Sequence, residues 1–466
     1  MPPDSDQRLI DQLRALLGPD GIEQRPDQLA YFAEDAMGRR SSIEKEPELP
    51  LAVVRPASAE QAASVLALAA EAGVAVVPYG AGTGLMGGAR SHGRGLVLDS
   101  VRLNRIEVLA SDRMVWAGAG CPLETVDSKL RKHGLCLGHD PWTFPVATVG
   151  GTLSTNSLGY KGGRYGGMGS QAIALEVALA DGSVLRSRAV RRHSAGPDLA
   201  RLFIGAEGTL GVITAAALQA YAVPESEELR AYRFHTFETG FAAIDEMARL
   251  GMRPSLLDYG EEHGSPWPDL ASREDEPPLL YLGFEGFSQE VDASLVRAGS
   301  IIQGHRGVPL GEEVAREFWE RRHVVAQRFI RGRRRERWRS AEIAFDYIHV
   351  ALPPSRVLAF RELCHGESEA AGVGLLECGL WTAPDFFSCV LVLPQAQGGH
   401  ERLNSFIDGL LQAAQDMGGS MEYVHGAGLR LAHLMPREHG AHLDVLRRVK
   451  HALDPDGLLN PGKLGL

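Results

Sequence analysis

The chain has 466 residues, 44% of them hydrophobic and 23% charged, which is the balance of a globular protein with room for two or three domains. Its formal net charge of −11 argues against a nucleic-acid partner, which needs a basic field. The five cysteines (Cys121, Cys136, Cys364, Cys378, Cys389) are scattered with no C-x-x-C pair, against a disulfide framework, zinc ribbon or iron–sulfur cluster and in keeping with a reducing compartment. The N-terminus lacks an apolar signal core and no run reaches the roughly 18 apolar residues of a membrane span, so a cytoplasmic chain without a transmembrane segment is expected.

In chain order, residues 5–18 read as a short helix (Leu9, Ile10, Leu13, Leu16, Leu17) stopped by Gly18. The polar stretch 38–50 reads as an exposed approach to a strand at 51–54. Ser58 offers an N-cap to an alanine-rich helix, 59–72, that ends at Gly73. The apolar run Val74–Val77 then leads into Pro78-Tyr79-Gly80-Ala81-Gly82-Thr83-Gly84-Leu85-Met86-Gly87-Gly88. Five of the nine residues 80–88 are glycine. Glycine lets the main chain approach a ligand closely, and successive inward N–H groups make a concavity for an anion such as pyrophosphate. Gly82-x-Gly84-x-x-Gly87 also has the spacing of the dinucleotide fingerprint, but that fingerprint requires a helix to open within it. Here Gly88, Gly93 and Gly95 come next, and then a strand at 96–99. The stretch therefore reads as a pyrophosphate loop between two strands; the plain alternative is a glycine-rich surface loop.

Strands are expected at 106–109 and 114–117, then a helix from Pro122 toward Gly134. A second glycine region runs from Asp140-Pro141-Trp142 through Thr148-Val149-Gly150-Gly151-Thr152-Leu153-Ser154-Thr155-Asn156 and Gly159 to Lys161-Gly162-Gly163-Arg164-Tyr165-Gly166. Lys161 and Arg164 are either phosphate partners or solvated surface. Residues 171–186 read as a hairpin turning at Asp181-Gly182. A third stretch, Gly205-Ala206-Glu207-Gly208-Thr209-Leu210-Gly211-Val212-Ile213-Thr214, sets Glu207 between glycines before an apolar strand; a turn or capping carboxylate is the simpler reading. Composition breaks at 222–228. Beyond it the pattern predicts strands at 230–235, 254–259, 279–286, 343–350, 386–393 and 420–424, helices at 239–250, 288–303, 400–417 and 440–452, and a surface loop over 260–278. The run Arg331–Arg339 reads as a solvated face or as a docking patch for an acidic partner or a membrane surface.

Together the three glycine stretches resemble the FAD-binding domain of the vanillyl-alcohol oxidase / p-cresol methylhydroxylase superfamily. Within it the chain is most similar to the branch of D-lactate and glycolate dehydrogenases, D-2-hydroxyglutarate dehydrogenase and alkyldihydroxyacetonephosphate synthase. The carrying motifs are residues 78–88, Ala-Thr-Val-Gly-Gly at 147–151, Arg164-Tyr165-Gly166, residues 205–214 and Leu453-Asp454-Pro455-Asp456-Gly457-Leu458-Leu459-Asn460-Pro461-Gly462-Lys463. The resemblance implies an α+β fold: an N-terminal helical segment (1–45), a PCMH-type FAD-binding domain of two α/β subdomains (46–225), an α+β ferredoxin-like cap (226–430) and a C-terminal segment (431–466) returning to the FAD domain. It implies FAD held by Tyr79, Gly80, Ala81, Gly82, Thr83, Gly84, Leu85 and Gly87 around the pyrophosphate. Pro141, Thr148, Gly150, Gly151, Ser154, Asn156, Gly159, Arg164, Tyr165, Glu207, Gly208 and Ile213 would line the flavin and adenine sides, and Asn460 would reach the isoalloxazine. No histidine lies in the pyrophosphate loop, the attachment site in some relatives, so noncovalent FAD is expected.

Flavin chemistry asks the protein for a proton acceptor and a hold on the substrate anion. His425, before Gly426-Ala427-Gly428, matches the His-Gly-x-Gly position of the relatives and is the expected base. Arg322 ends a Trp-x-x-Arg element (319–322) like the one whose arginine holds the substrate carboxylate, with Tyr347, Arg430 and His323 as further candidates. Two departures stand out. The metal-dependent relatives carry His-x-Gly-Asp-Gly-Asn-x-His and a Glu-His pair, whereas this chain has Cys378-Gly379-Leu380-Trp381 and Val424-His425, so no metal ligands are expected. The synthase's run of histidines is reduced to His425. The resemblance thus implies oxidation of a 2-hydroxy acid of the D-lactate, glycolate or D-2-hydroxyglutarate type, or of a related alcohol, by hydride transfer to flavin N5. A synthase-like reaction without net redox, or an electron-passing flavin subunit, is the alternative. Partners would be a small-molecule substrate and an electron-acceptor protein or quinone, with peripheral membrane contact and a homodimer compatible with the same reading.

Overall fold

The computed structural model describes residues 3–36, 48–263, 276–326 and 343–466. The polar approach at 38–47, most of the expected loop over 260–278 and the arginine run 331–339 lie outside the described residues. Three sheets carry the fold. In the first, β1 (Ile22–Glu23), β2 (Ala52–Val54), β3 (Val76–Tyr79) and β4 (Leu96–Asp99) lie in the order β1-β2-β4-β3, with β4 parallel to both β2 and β3. The helix Ala59–Glu71 crosses between β2 and β3, capped as its sequence predicts: Ser58 accepts from Gln61 N–H. Its alanines and Val65 and Leu66 pack on the helix Pro3–Leu17 and on the buried faces of β2 and β4. The connection from β3 to β4 holds the glycine run and no helix, as the interrupted fingerprint predicts.

The second sheet is antiparallel: β5 (Ile106–Leu109), β6 (Met114–Gly118), β8 (Ala172–Ala178), β9 (Val184–Arg186) and β10 (Val212–Gln219), in the order β5-β6-β10-β8-β9. β7 (Leu135–Cys136) pairs with β11 (Tyr221–Ala222) beside it. The helices Leu123–Arg131 and Val149–Ser154 cover its core. The third sheet is also antiparallel and is built from β12 (Ser226–Arg233), β13 (Leu256–Glu262), β14 (Glu276–Gly286), β15 (Val308–Pro309), β16 (Ile343–Ala351), β17 (Gly374–Trp381) and β18 (Phe386–Pro394), in the order β15-β12-β14-β13-β17-β18-β16. Strand alternation gives this sheet two unlike faces. One carries Tyr259, Cys378, Leu380, Phe387, Cys389 and Leu391 and is covered by the helices Phe237–Arg249, Ser288–Gly304, Pro354–Ala371 and Gly399–Asp416. The other presents Leu256 and Trp381 to Trp142, Tyr160 and Val424.

The expected strand at 420–424 does not form. Only two isolated bridges remain, His349 with Glu422 and Ala351 with Ser420. The reason is local: Glu422 Oε1 accepts from Val424 N–H at 2.7 Å and His425 N–H at 2.9 Å, which turns the chain back on itself. After the helix Ala441–Leu453 the chain returns to the first sheet, where Asn460 N–H donates to Val76 O at 2.9 Å.

Candidate active site

The three glycine stretches converge on one open cleft. Its floor is residues 78–86, Gly88 and Ala89; one wall comes from Pro141–Thr143 and the region 147–158, another from Glu207, Gly208, Val212 and Ile213, and Trp381, Val424 and His425 form the cover. The glycines are needed for close approach. A Cβ on Gly80 would stand 2.5 Å from Thr148 Oγ1, and one on Gly208, at φ +74°, would stand 2.6 Å from Pro78. Thr148 in turn accepts from Gly151 N–H at 3.3 Å and so starts the helix Val149–Ser154, whose Gly150 N–H donates to Ala119 O at 2.8 Å.

Glu207 sits at φ +49°, and its buried carboxylate binds the opposite side of the molecule. Oε1 accepts from Ala427 N–H at 2.8 Å and Gly428 N–H at 3.0 Å, fixing the turn after His425. Burial raises the Glu207 pKa to about 7, against the lowering effect of those two bonds. Asn460 Nδ2 donates to Gly88 O at 2.9 Å and Glu207 O at 2.6 Å, tying the C-terminal segment to two cleft residues. That segment is held from below by Lys450, a buried cation that donates to Thr209 O and Leu459 O, each at 2.7 Å, and pairs with Asp454.

On the cover, the His425 ring lies among aromatic rings: His349 at 4.8 Å, Tyr347 at 5.5 Å and Trp142 at 6.5 Å between centroids. Its Nδ1 is 3.6 Å from the buried Glu422 carboxylate. Burial, reinforced by neighbouring His425, pushes the His349 pKa down to about 3, so this imidazole is neutral at ordinary pH. Burial works to raise the Glu422 pKa, but His425 outweighs it and the shift is downward. No metal ligands are expected here from sequence, because no Glu-His pair is adjacent. In the fold, Glu422 comes from three residues upstream and His349 from β16, and with His425 they offer ligand atoms within 4.8 Å of one another. His349, Glu422, Trp142 and Trp381 are the site residues that motif matching passed over. The alternation of β16, which puts Tyr347 and His349 on one face, was the available signal for His349.

Of the residues expected from sequence, Tyr79 through Leu85, Pro141, Thr148, Gly150, Gly151, Ser154, Glu207, Gly208, Ile213 and His425 line the cleft. The rest stand around it. Gly87, at φ +75°, turns the glycine loop, and Asn156 Oδ1 accepts from Gly169 N–H at 3.0 Å. Gly159 packs against the Asp140 backbone. Lys161 and Tyr165 both bond the buried carboxylate of Glu285 on β14, and Arg164 lies 3.6 Å from Glu290. Arg322 stacks over Trp319 at 3.8 Å and donates to Asp140 at 3.0 Å, where His323 also bonds at 2.6 Å. Arg430 forms a buried pair with Asp346 at 2.5 Å, and Asp346 accepts from Tyr347 N–H at 2.8 Å.

A glycine cradle that runs into an aromatic chamber fits a long dinucleotide with a flat ring at one end. Two further observations agree: Asn460 Oδ1 and Glu207 Oε2 are buried beside the cleft and have no hydrogen-bond partner among the described residues. Fold and site together define a flavoprotein with an FAD-binding half and an antiparallel cap. Comparison with known proteins agrees. The family description "FAD binding domain" matches residues 50–188, and "FAD linked oxidases, C-terminal domain" matches residues 223–464. The D-lactate dehydrogenase of Archaeoglobus fulgidus is 29% identical over 88% of this chain and 90% of its own length. The D-2-hydroxyglutarate dehydrogenase of Xanthomonas citri pv. viticola is 28% identical over 89% of each. The crystal structure of p-cresol methylhydroxylase with substrate bound superposes with a TM-score of 0.78 at 17% identity, covering 100% of this chain and 97% of that one. The chain belongs to the FAD-linked oxidases, and FAD is its cofactor. Among the described residues, no helix is long and apolar enough to cross a membrane.

Proposed function

We propose that this enzyme oxidises a small 2-hydroxy acid of the D-lactate, glycolate or D-2-hydroxyglutarate type to the 2-oxo acid. The observation that carries the reading is His425: an imidazole at the cleft wall, backed by a buried carboxylate and set among aromatic rings. The named activities of the two dehydrogenase relatives support it. FAD, which the glycine loop would hold noncovalently, would supply the two-electron acceptor for the hydride leaving the substrate's C2. His425 takes the hydroxyl proton, and Glu422 stabilises the imidazolium so formed. Arg322, which stands outside the cleft lining with Nε on Asp140 and Nη1 on Trp319 O, meets the substrate carboxylate through Nη2 in this reading. Arg430 acts through Asp346 to position Tyr347 beside the base. Electrons leave to a quinone or a carrier protein. D-lactate, glycolate and D-2-hydroxyglutarate, each supplied with a soluble quinone analogue, provide the test. At least one should give its 2-oxo acid; no turnover with any of them, in protein that holds FAD, overturns the reading.

A further inference from the structure

A second group of ligand-type side chains lies on the helix-covered face of the third sheet, the face turned away from the cleft. Glu261 is in β13, and His263 lies just beyond its end. Cys378 stands opposite Glu261 in the β13–β17 register, and His365 comes from the helix Pro354–Ala371. Cys378 belongs to the apolar core beneath the helices, whereas Trp381, three residues on, belongs to the aromatic cluster at the cleft. The group is therefore separate from His349, Glu422 and His425.

One donor atom from each of the four residues lies within 4.8 Å of all the others. The Nε2 atoms of His263 and His365 stand 3.4 and 3.5 Å from Glu261 Oε1. A tetrahedral ion with bonds of about 2.1 Å to nitrogen and oxygen sets its ligands about 3.4 Å apart, which is the spacing these groups already have. The two rings are 4.8 Å apart and perpendicular, converging from different elements; both Nε2 atoms are buried facing Glu261 and Cys378, and among the described residues neither finds a hydrogen bond of good geometry. Cys378 is fully buried and Glu261 is 6% exposed. The carboxylate is already oriented: Arg361 donates through Nε to Oε1 at 2.6 Å and through Nη2 to Oε2 at 2.9 Å, the kind of outer hydrogen bonding that positions a metal-ligating carboxylate. A thiolate, a carboxylate and two neutral imidazoles around a dication leave no net charge, which suits a site whose thiol and carboxylate are buried while its two imidazoles, on His263 and His365, are partly exposed.

We propose that Glu261, His263, His365 and Cys378 bind a zinc-type divalent cation in a closed, four-coordinate site. Such a site pins the helix Pro354–Ala371 to β13 and β17 and steadies the strand that ends in Trp381. Sulfur among the ligands gives the site its own signature. FAD-loaded full-length protein, stripped of metal with a chelator, is titrated with Co2+ and read as a difference spectrum against the metal-free flavoprotein. The expected result is one equivalent bound, with a thiolate-to-cobalt charge-transfer band and intense d–d bands beyond the flavin absorption. Cys378→Ser should abolish the charge-transfer band. His365→Ala should weaken binding by at least about 100-fold, while flavin absorbance reports that each variant still folds. Less than a tenth of an equivalent bound overturns the proposal. So does cobalt bound without the sulfur band, which is the signature expected of His349, Glu422 and His425, or a band that survives Cys378→Ser.

Discussion

Replacing Glu207 by glutamine tests how the two halves of the cleft are joined, because the isostere keeps an oxygen acceptor for Ala427 and Gly428 and removes the titration. In the folded chain burial raises the Glu207 pKa from 4.5 to about 7, with Lys463 opposing the shift and Asp35 adding to it. A carboxyl whose folded pKa is raised contributes stability that is fully present below its unfolded pKa and is lost as pH rises through the folded one. Between pH 5 and 8 the wild type should therefore lose about 2–3 kcal/mol relative to Glu207→Gln, at about 1.4 kcal/mol per pKa unit. The assay is urea unfolding of both proteins at saturating FAD across that range, followed by tryptophan fluorescence. Glu207→Ala should be worse at every pH, since the N–H groups of Ala427 and Gly428 lose their acceptor at about 1–3 kcal/mol each. A wild-type-minus-Gln difference that does not change with pH refutes the reasoning.

Removing the imidazole in His425→Ala should slow anaerobic flavin reduction by substrate by about 10²- to 10⁴-fold while FAD stays bound, as stopped-flow absorbance will show. Gly80→Ala drives a methyl to within 2.5 Å of Thr148 Oγ1 at the start of a helix, so the purified variant should carry substoichiometric FAD by absorbance ratio. Lys450→Met leaves Asp454 charged and buried without its partner and should cost about 3–5 kcal/mol in urea unfolding. Adding Asp454→Asn should recover part of that loss.

Much of the fold was legible because it rests on local chemistry. The strands at 96–99 and 106–109 fall where their apolar runs end in turn residues, and Ser58 caps the helix it precedes. The glycine run at 80–88 was readable as a ligand cradle because it leads into a strand and not a helix. The short helix Val149–Ser154 was hidden by its two glycines, which disfavour helix intrinsically; Thr148 and the close approach to Ala119 hold it in place. The site was legible only where one segment carries its own pattern. Glu422 and His349 meet His425 through a turn and a separate strand, and a motif of adjacent residues cannot express that. Nothing local to the helix Ala441–Leu453 marks Lys450, whose burial comes from tertiary packing against Thr209 and Leu459. The four residues on the helix-covered face span more than a hundred positions, so no spacing rule connects them.

The central claim is that a 2-hydroxy acid reduces the flavin directly, and the most direct measurement needs no electron acceptor. FAD-loaded protein is mixed without oxygen with the D and L forms of lactate and 2-hydroxyglutarate, and with glycolate, while the flavin's visible absorption is monitored. The account predicts bleaching by at least one of these acids, by only one enantiomer where the acid is chiral, and none on the same timescale with His425→Ala. A flavin that dithionite bleaches and that none of these acids reduces would contradict it, and would favour a reaction without net redox.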